Sequence, residues 1–450
     1  MKLLSMRNHW KATRLFVLFL FSLLYSCEEL NKLEEIFHRP PKYTQESADV
    51  VYDWYKLMAQ IQMRVTPQPV VLLQNRGFAY TGVGLYEAVR PGIKGAVSLS
   101  TKLYQMPAMP KPENYQEYLW AASANAALAS LFKQFLVNLT IADKARMDSL
   151  ENANNSRFRL SKSDAVITRS QAFGRAIASA IYNWSTTDKF NLSSEGYTIP
   201  KFPGAWEPTP PAFATVGPFL KDSRPFLEYS ITATAPPIPV PYSEDKSSQF
   251  YKEAKEVYDI GKALTDEQKA TANWFADAGG VGVGVPAPYH ATNLVTEILE
   301  SKKAKLGQAA QVYAKTGIAL KDGPIVTFRG KFQYNLIRPL TYIQKQIDKT
   351  WQSYLINPPY PEYPSGLAGI YCPFWQVMIR EFGDIPVTDN TYVWRGDAPR
   401  QYASISKLLD EALESRIYGG LHYRFTMEAT REMGNKLGDK IANINLTPKH

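Results

Sequence analysis

The sequence predicts an all-α protein interrupted by one long proline-rich strap. Three observations predict it. Apolar residues recur at steps of three and four in several stretches. Long alternating strand patterns are absent. Eleven prolines fall between Pro200 and Pro241, and a helix cannot cross such a segment.

The helical stripes are specific. Ala124, Leu128, Leu131, Phe132, Phe135 and Leu136 form one; Phe173, Ile177, Ile181 and Trp184 form a second. Ile405, Leu408, Leu409, Ala412 and Leu413 form a third, and Met433, Leu437 and Ile441 a fourth. Gly434 and Gly438 lie one turn apart beside the last stripe, which allows a close helix approach. Thr140-x-x-Asp143 and Thr265-x-x-Gln268 read as capping boxes that start helices. The strap carries Trp206 and several Phe, whose burial calls for an extended path over the helices; a disordered linker is the other reading.

Composition narrows the classes. The chain has 450 residues, with 51 Lys+Arg against 42 Asp+Glu and only two cysteines. Two cysteines make neither a disulfide framework nor a thiolate zinc site. Residues 1–26 hold Lys2, Arg7, Lys11 and Arg14 and no acid, followed by the 11-residue apolar run Leu15–Tyr25. That is the layout of an export signal, and no later apolar run is long enough to span a bilayer. Leu24-Tyr25-Ser26-Cys27 resembles a bacterial lipobox, with cleavage before Cys27 and lipidation of its thiol. A plain secretory signal or an N-terminal anchor is the alternative. The reading is therefore an exported bacterial lipoprotein, periplasmic or on the cell surface, tied to a membrane surface by its lipid. Without the signal the formal charge falls from +9 to +5. That mild excess, with no basic run, gives no argument for nucleic acid.

The expected organisation is a signal over 1–26, a charged tether over 27–43, and one helical domain over 44–445. The domain divides into N-terminal helices (44–195), the strap (196–245) and C-terminal helices (246–445). His38 falls in the tether and is expected to be solvated. Cys372 would be the only thiol of the mature chain and is expected to act as a small buried hydrophobe. Gly279–Pro288 is glycine-rich but lacks the Gly-Lys-Ser/Thr ending of a nucleotide phosphate loop.

Three C-terminal segments carry chemistry. In Gly330–Pro339, Lys331 and Arg338 are seven residues apart, which puts them on one face of a helix with Tyr334 and Asn335 until Pro339 ends it. The plain alternative is a solvated basic face. In Tyr363–Ile370, Ser365 after Pro364 reads as the N-cap of a helix, and the first amides, with Gly366 permitting close approach, would favour an anion. A simple capped helix is the alternative. In Ser415–Phe425, Arg416 continues the buried stripe of its helix, and a buried charge must find a partner. Gly419-Gly420 should stop that helix and turn His422 onto a new direction. The alternative is a core histidine. Taken together, two arginines, a lysine, a serine hydroxyl, a helix start and one imidazole suit a tetrahedral oxyanion, phosphate or vanadate.

In order and spacing these segments resemble the three motifs of the vanadium-dependent haloperoxidases and type-2 phosphatidic acid phosphatases: Lys-x6-Arg-Pro, Pro-Ser-Gly-His and Ser-Arg-x5-His. They stand here as Lys331…Arg338-Pro339, Pro364-Ser365-Gly366-Leu367 and Ser415-Arg416…His422. The last segment is similar to the soluble haloperoxidase branch, as are Val51-Tyr52-Asp53-Trp54, Arg76…Ala79…Tyr86-Glu87-Ala88-Val89 and Trp206-Glu207-Pro208-Thr209-Pro210. The resemblance covers most of residues 45–440.

It implies two four-helix-bundle-like halves and an oxyanion held by Lys331, Arg338, Ser365, Gly366 and Arg416. It also implies His422 as the catalytic residue, bound to the vanadium of vanadate. In a haloperoxidase cycle the small-molecule partners are halide and peroxide. In a phosphatase cycle phosphate is the occupant, and His422 attacks phosphorus to form a phosphohistidine. One departure stands out. The family's acid/base histidine is Leu367 here, and leucine cannot transfer a proton. His290 and Tyr363 are the candidates for a replacement, although no spacing places either of them there. Three functions follow: a haloperoxidase of reduced or altered activity, a phosphohydrolase restricted to good leaving groups, or a non-catalytic oxyanion binder.

Overall fold

The computed structural model describes residues 46–65, 68–277 and 284–446. The expected signal, the tether, Cys27 and His38 lie outside the described residues, as do residues 278–283 of the glycine-rich stretch.

Helices dominate. The N-terminal set is α1 (Asp49–Gln62), α2 (Val71–Val89), α3 (Trp120–Phe135), α4 (Ile141–Phe158) and α5 (Asp164–Ser185). Residues 186–248 are irregular except for a short 3-10 turn and the single-turn α6 (Ser230–Ala233). The C-terminal set is α7 (Gln249–Lys262), α8 (Asp266–Trp274), α9 (Ala287–Ser301), α10 (Leu306–Tyr334), α11 (Pro339–Gln346), α12 (Gly366–Phe382), α13 (Ile405–Tyr418) and α14 (Arg424–Ala442). Two three-residue strands, β1 (Val387–Asp389) and β2 (Arg400–Tyr402), pair antiparallel with Val387 opposite Tyr402.

Local signals place several of these elements. Both expected capping boxes form: Thr140 and Asp143 at the start of α4, Thr265 and Gln268 at the start of α8. The four apolar stripes are buried. At Gly434 an added β-carbon would stand 2.4 Å from the Cys372 β-carbon, so the glycine stripe of α14 is what lets it lie against α12. Cys372 is fully buried, and burial pushes its thiol up to about 12. No helix among the described residues is long and apolar enough to cross a membrane.

The 29-residue α10, about 43 Å long at the standard rise, is the spine. It packs along α2 on one side and against α12 on the other, and one apolar core runs through both sets of helices. Its N-terminal two-thirds serve packing; its last turn carries Lys331.

The proline-rich segment is a strap, ordered over the helices. Trp206 and Phe226 are buried under it, whereas Phe202 and Phe213 stay exposed, so only some of its aromatics anchor it. One of its attachments is to α10. Asp322 accepts the backbone amides of Phe226 at 2.6 Å and Leu227 at 2.8 Å. Burial raises its carboxyl to about 6, against the pull of those amides and of Lys321. Asp322→Ala would leave two buried donors without an acceptor, at roughly 1–3 kcal/mol each. We expect this variant to lower the urea midpoint by that combined loss, and Asp322→Asn to lose less. Equal stability of Asp322→Ala and the parent would show that the strap is not held there.

Candidate active site

The site is assembled from four stretches: the end of α10 with its exit, the start of α12 with the loop before it, the end of α13, and the turn into α14. The exit of α10 departs from the sequence expectation. The helix does not run through to Arg338. It stops at Tyr334, Asn335 takes a left-handed conformation (φ +45°), and Arg338 is the extended N-cap residue of α11. The strap makes this break stable. The Trp206 amide donates to the Asn335 carbonyl at 2.7 Å, the Ile337 amide to the Gly204 carbonyl at 2.9 Å, and the Tyr197 hydroxyl to Asn335 Oδ1 at 2.8 Å. Arg338 is therefore aimed by backbone pairing with the strap rather than by helical periodicity.

Both cations remain buried, and both point into the same loop. Lys331 Nζ donates to the carbonyls of Pro361 (2.8 Å), Glu362 (3.0 Å) and Pro364. Arg338 donates to the Tyr360 carbonyl from Nε (3.1 Å) and Nη2 (3.0 Å), and from Nη1 to the Leu421 carbonyl (3.0 Å). Burial presses the Lys331 ammonium well below the ordinary lysine range, with Arg338 adding to the effect and Glu362 opposing it.

Arg416 behaves differently. It sits on the buried face of α13, as its stripe position predicts, with Nε and Nη2 buried and without a hydrogen-bond partner. Burial lowers its pKa, and the Asp277 charge is the first influence working the other way. The helix ends at Tyr418, and Gly420 (φ +73°) turns the chain toward His422, as the Gly-Gly break predicts. His422 is 3% exposed. Burial drives its imidazole well below the ordinary range, reinforced by the charges of Arg338, Lys331 and Arg416. The charges of all three cations thus act on this one imidazole.

Ser365 caps α12, its Oγ accepting the Ala368 amide at 3.5 Å. The Gly366 and Leu367 amides occupy the first turn, where a helix offers no internal acceptor. Leu367 is half-buried and packs against the core.

Sequence reasoning missed Glu362. Its Oε1 lies 2.7 Å from His422 Nδ1 and also accepts the Tyr423 amide at 3.2 Å, while Oε2 accepts the Thr426 hydroxyl at 2.9 Å. The network assigns the hydrogen to Nδ1 and leaves Nε2 with its lone pair. Burial raises the Glu362 carboxyl to about 7, against Arg338 and Lys331. An acid three residues before a capping serine, in a loop otherwise rich in proline, is the one signal that could have revealed it.

Neither considered substitute for the acid/base histidine serves. The Tyr363 hydroxyl donates to the Pro237 carbonyl at 2.6 Å, and its ring is buried. His290 has both nitrogens engaged, Nδ1 with Asp277 Oδ1 (2.9 Å) and Nε2 with Asp389 Oδ2 (2.8 Å). Asp277 also accepts the Tyr371 hydroxyl at 2.7 Å, so this buried cluster fixes the carboxylate whose charge acts on Arg416. A surface cleft of about 970 Å³ lies on the far side of Asp277, lined also by Trp274, Tyr392, Arg395, Arg400 and Glu411. Asp277 both lines this cleft and acts by its charge on Arg416.

The donor set was tested against the group that the sequence resemblance implies. No cluster of three or more His, Cys, Asp or Glu among the described residues could hold a bare cation. Three buried cations would repel one. An oxyanion fits: it would take the two orphaned N–H groups of Arg416 and relieve the like-charge crowding.

Comparison with known proteins bears on the fold. The family model described as the VCPO second helical-bundle domain matches residues 311–447. The first bacterial vanadium-dependent iodoperoxidase structure is 28% identical, with a TM-score of 0.78, covering 89% of this chain and 96% of that one. A holo-type bacterial vanadium-dependent chloroperoxidase is 17% identical at a TM-score of 0.64, covering 87% and 96%. An apo-type one is 17% identical at 0.65, covering 90% and 99%. No curated protein sequence matches the chain. The fold is the helical-bundle fold of the vanadium haloperoxidases. The family match itself is confined to residues 311–447, and together with the structural likenesses it supports a haloperoxidase-like chain.

The His290 cluster gives a pH prediction. Burial opposes its charge, but Asp389 and Asp277 outweigh that and raise the imidazolium to about 10, while the same charge helps hold Asp389 at about 2. A histidine raised from 6.5 contributes its full stability below pH 6.5 and loses it as pH climbs toward 10. Over that window one proton gives a slope of about 1.4 kcal/mol per pH unit. Denaturant unfolding from pH 7 to 9.5 should show this decline, and His290→Gln should remove it. An unchanged slope in the variant would disprove the buried imidazolium.

Proposed function

We propose that the pocket binds vanadate and that the chain oxidises halide with peroxide, at a rate limited by Leu367. The observation that carries this is the orphaned, buried Arg416 guanidinium beside two further cations and a histidine with a free Nε2. Vanadate, when bound, supplies the Lewis acidity that activates peroxide toward halide. The chain's own residues do the rest. Arg416, Lys331 and Arg338 neutralise the oxyanion charge, Ser365 and the Gly366 amide donate to it, and His422 offers Nε2 as the vanadium ligand. Glu362 keeps the other nitrogen protonated and the ring fixed.

Leu367 cannot move a proton at the mouth of this pocket. General acid–base help is worth about 10²–10⁴-fold, so the most easily oxidised halide, iodide, is the fitting substrate. Similarity to the bacterial iodoperoxidase supports the same choice. A non-catalytic oxyanion binder is the second reading, and Leu367 is the feature that favours it.

The test uses the purified chain loaded with orthovanadate and assayed for iodide oxidation with peroxide, with aryl-phosphate hydrolysis measured on the vanadate-free protein. Iodide oxidation is expected and hydrolysis is not. His422→Ala should weaken vanadate binding by more than about a hundredfold, the upper range for outer-shell metal partners. Leu367→His should raise turnover by about 10²-fold or more. Vanadate binding with neither activity would establish the binder, and hydrolysis without oxidation the phosphohydrolase.

Export with lipidation at Cys27 completes the proposal. In a bacterium with lipoprotein processing, the mature mass should begin at an acylated Cys27, and Cys27→Ala should yield a protein without lipid. An unlipidated wild type would overturn this.

A further inference from the structure

With Leu367, Tyr363 and His290 set aside, Tyr360 is a polar side chain beside the start of α12. Tyr360 packs its ring against Phe328 at 5.2 Å and 62°. Lys331 Nζ lies 4.9 Å from the ring centroid and Arg338 Cζ 5.3 Å. Its carbonyl accepts from Arg338, so the residue is held from the backbone side as well. Its hydroxyl oxygen is 3.3 Å from where a β-carbon on Gly366 would stand, beside the first turn of α12. The residue is partly buried, and the cations under its ring are buried. Among the described residues nothing accepts a hydrogen bond from this hydroxyl.

We propose that the Tyr360 hydroxyl is an anion-binding donor, giving its hydrogen bond to the outward oxygen of the oxyanion and standing in for the histidine that Leu367 replaces. The inference rests on the reading that this pocket holds vanadate or phosphate. The geometry suits the role. A phenol is both donor and acceptor, its ring covers two cations by cation–π contact, and its hydroxyl reaches the helix start where the anion's backbone donors are. Burial raises its pKa, with Arg338 and Arg416 opposing, so the phenol keeps its hydrogen at neutral pH. It enters from the loop before α12 rather than from α12 itself, which is why a leucine at 367 need not leave the mouth without a donor.

Calorimetric titration with orthovanadate, and separately with inorganic phosphate, tests this on the full chain and on Tyr360→Phe, Leu367→His and the double variant. A hydrogen bond to a charged group converts to roughly ten- to a hundredfold in affinity. Tyr360→Phe should weaken both anions by that factor while the melting temperature of the ligand-free protein stays unchanged. Leu367→His in the Tyr360→Phe background should regain most of the loss, a recovery that a merely structural tyrosine would not show. Equal affinity of Tyr360→Phe and wild type would overturn the inference and leave the pocket reading standing. A loss that Leu367→His does not recover would overturn the claim that the two positions share a role. If the wild type binds neither anion, the pocket reading fails and this inference fails with it.

Discussion

Three cations buried in one place must be given acceptors, and that requirement organises the site. Like charges at close range in a low-dielectric interior repel strongly, and an unpaired buried charge is among the costliest groups to accommodate. The loop over 358–364 answers this. Pro358, Pro359, Pro361 and Pro364 have no N–H, so the loop offers carbonyls without burying an equal number of donors. Lys331 and Arg338 take those carbonyls, and Glu362 adds the one negative side chain the loop contributes. Arg416 is left with two buried nitrogens that have no hydrogen-bond partner, the atoms to which the proposed anion would bind.

The strap belongs to the same argument. Without it, the break after Tyr334 would expose the carbonyl of Asn335 and the amide of Ile337, and Arg338 would lose its direction. With it, the strap residues around 204–206 pair with the break as a strand would, and Asp322 anchors the next stretch of the strap to α10. A segment too rich in proline to form a helix thus supplies what a helix cannot: backbone groups facing a kinked neighbour.

The sequence made the helices, their capping boxes and the motif positions legible because each rests on local spacing. The buried stripe was enough to place Arg416 inside, and Gly419-Gly420 was enough to turn His422. Helical periodicity misplaced Arg338, since nothing local announces that Asn335 adopts a left-handed conformation held by Trp206 and Tyr197, far away in the chain. Glu362 and Asp277 were invisible for the same reason. A carboxylate's partner is fixed by tertiary packing, and one acid in a proline-rich loop looks like any other. His290 was a candidate acid/base group on residue type alone, and two aspartates from separate segments engage both its nitrogens.

The orphaned guanidinium and the leucine at 367 pull the reading in different directions, and their energies decide how. Leaving a buried charged donor without a partner costs on the order of 1–3 kcal/mol or more, and a leucine in place of Arg416 would remove that cost. A pocket with no anion to hold has no physical use for such a residue, so Arg416 argues for a ligand. Leu367 bears only on what happens to that ligand afterwards. It leaves the buried charges untouched and places no proton donor beside the start of α12, where the hydroxyl of the partly buried Tyr360 lies. On the proposed function, binding and turnover are therefore separable, with binding set by buried charge and turnover by what stands beside the start of α12.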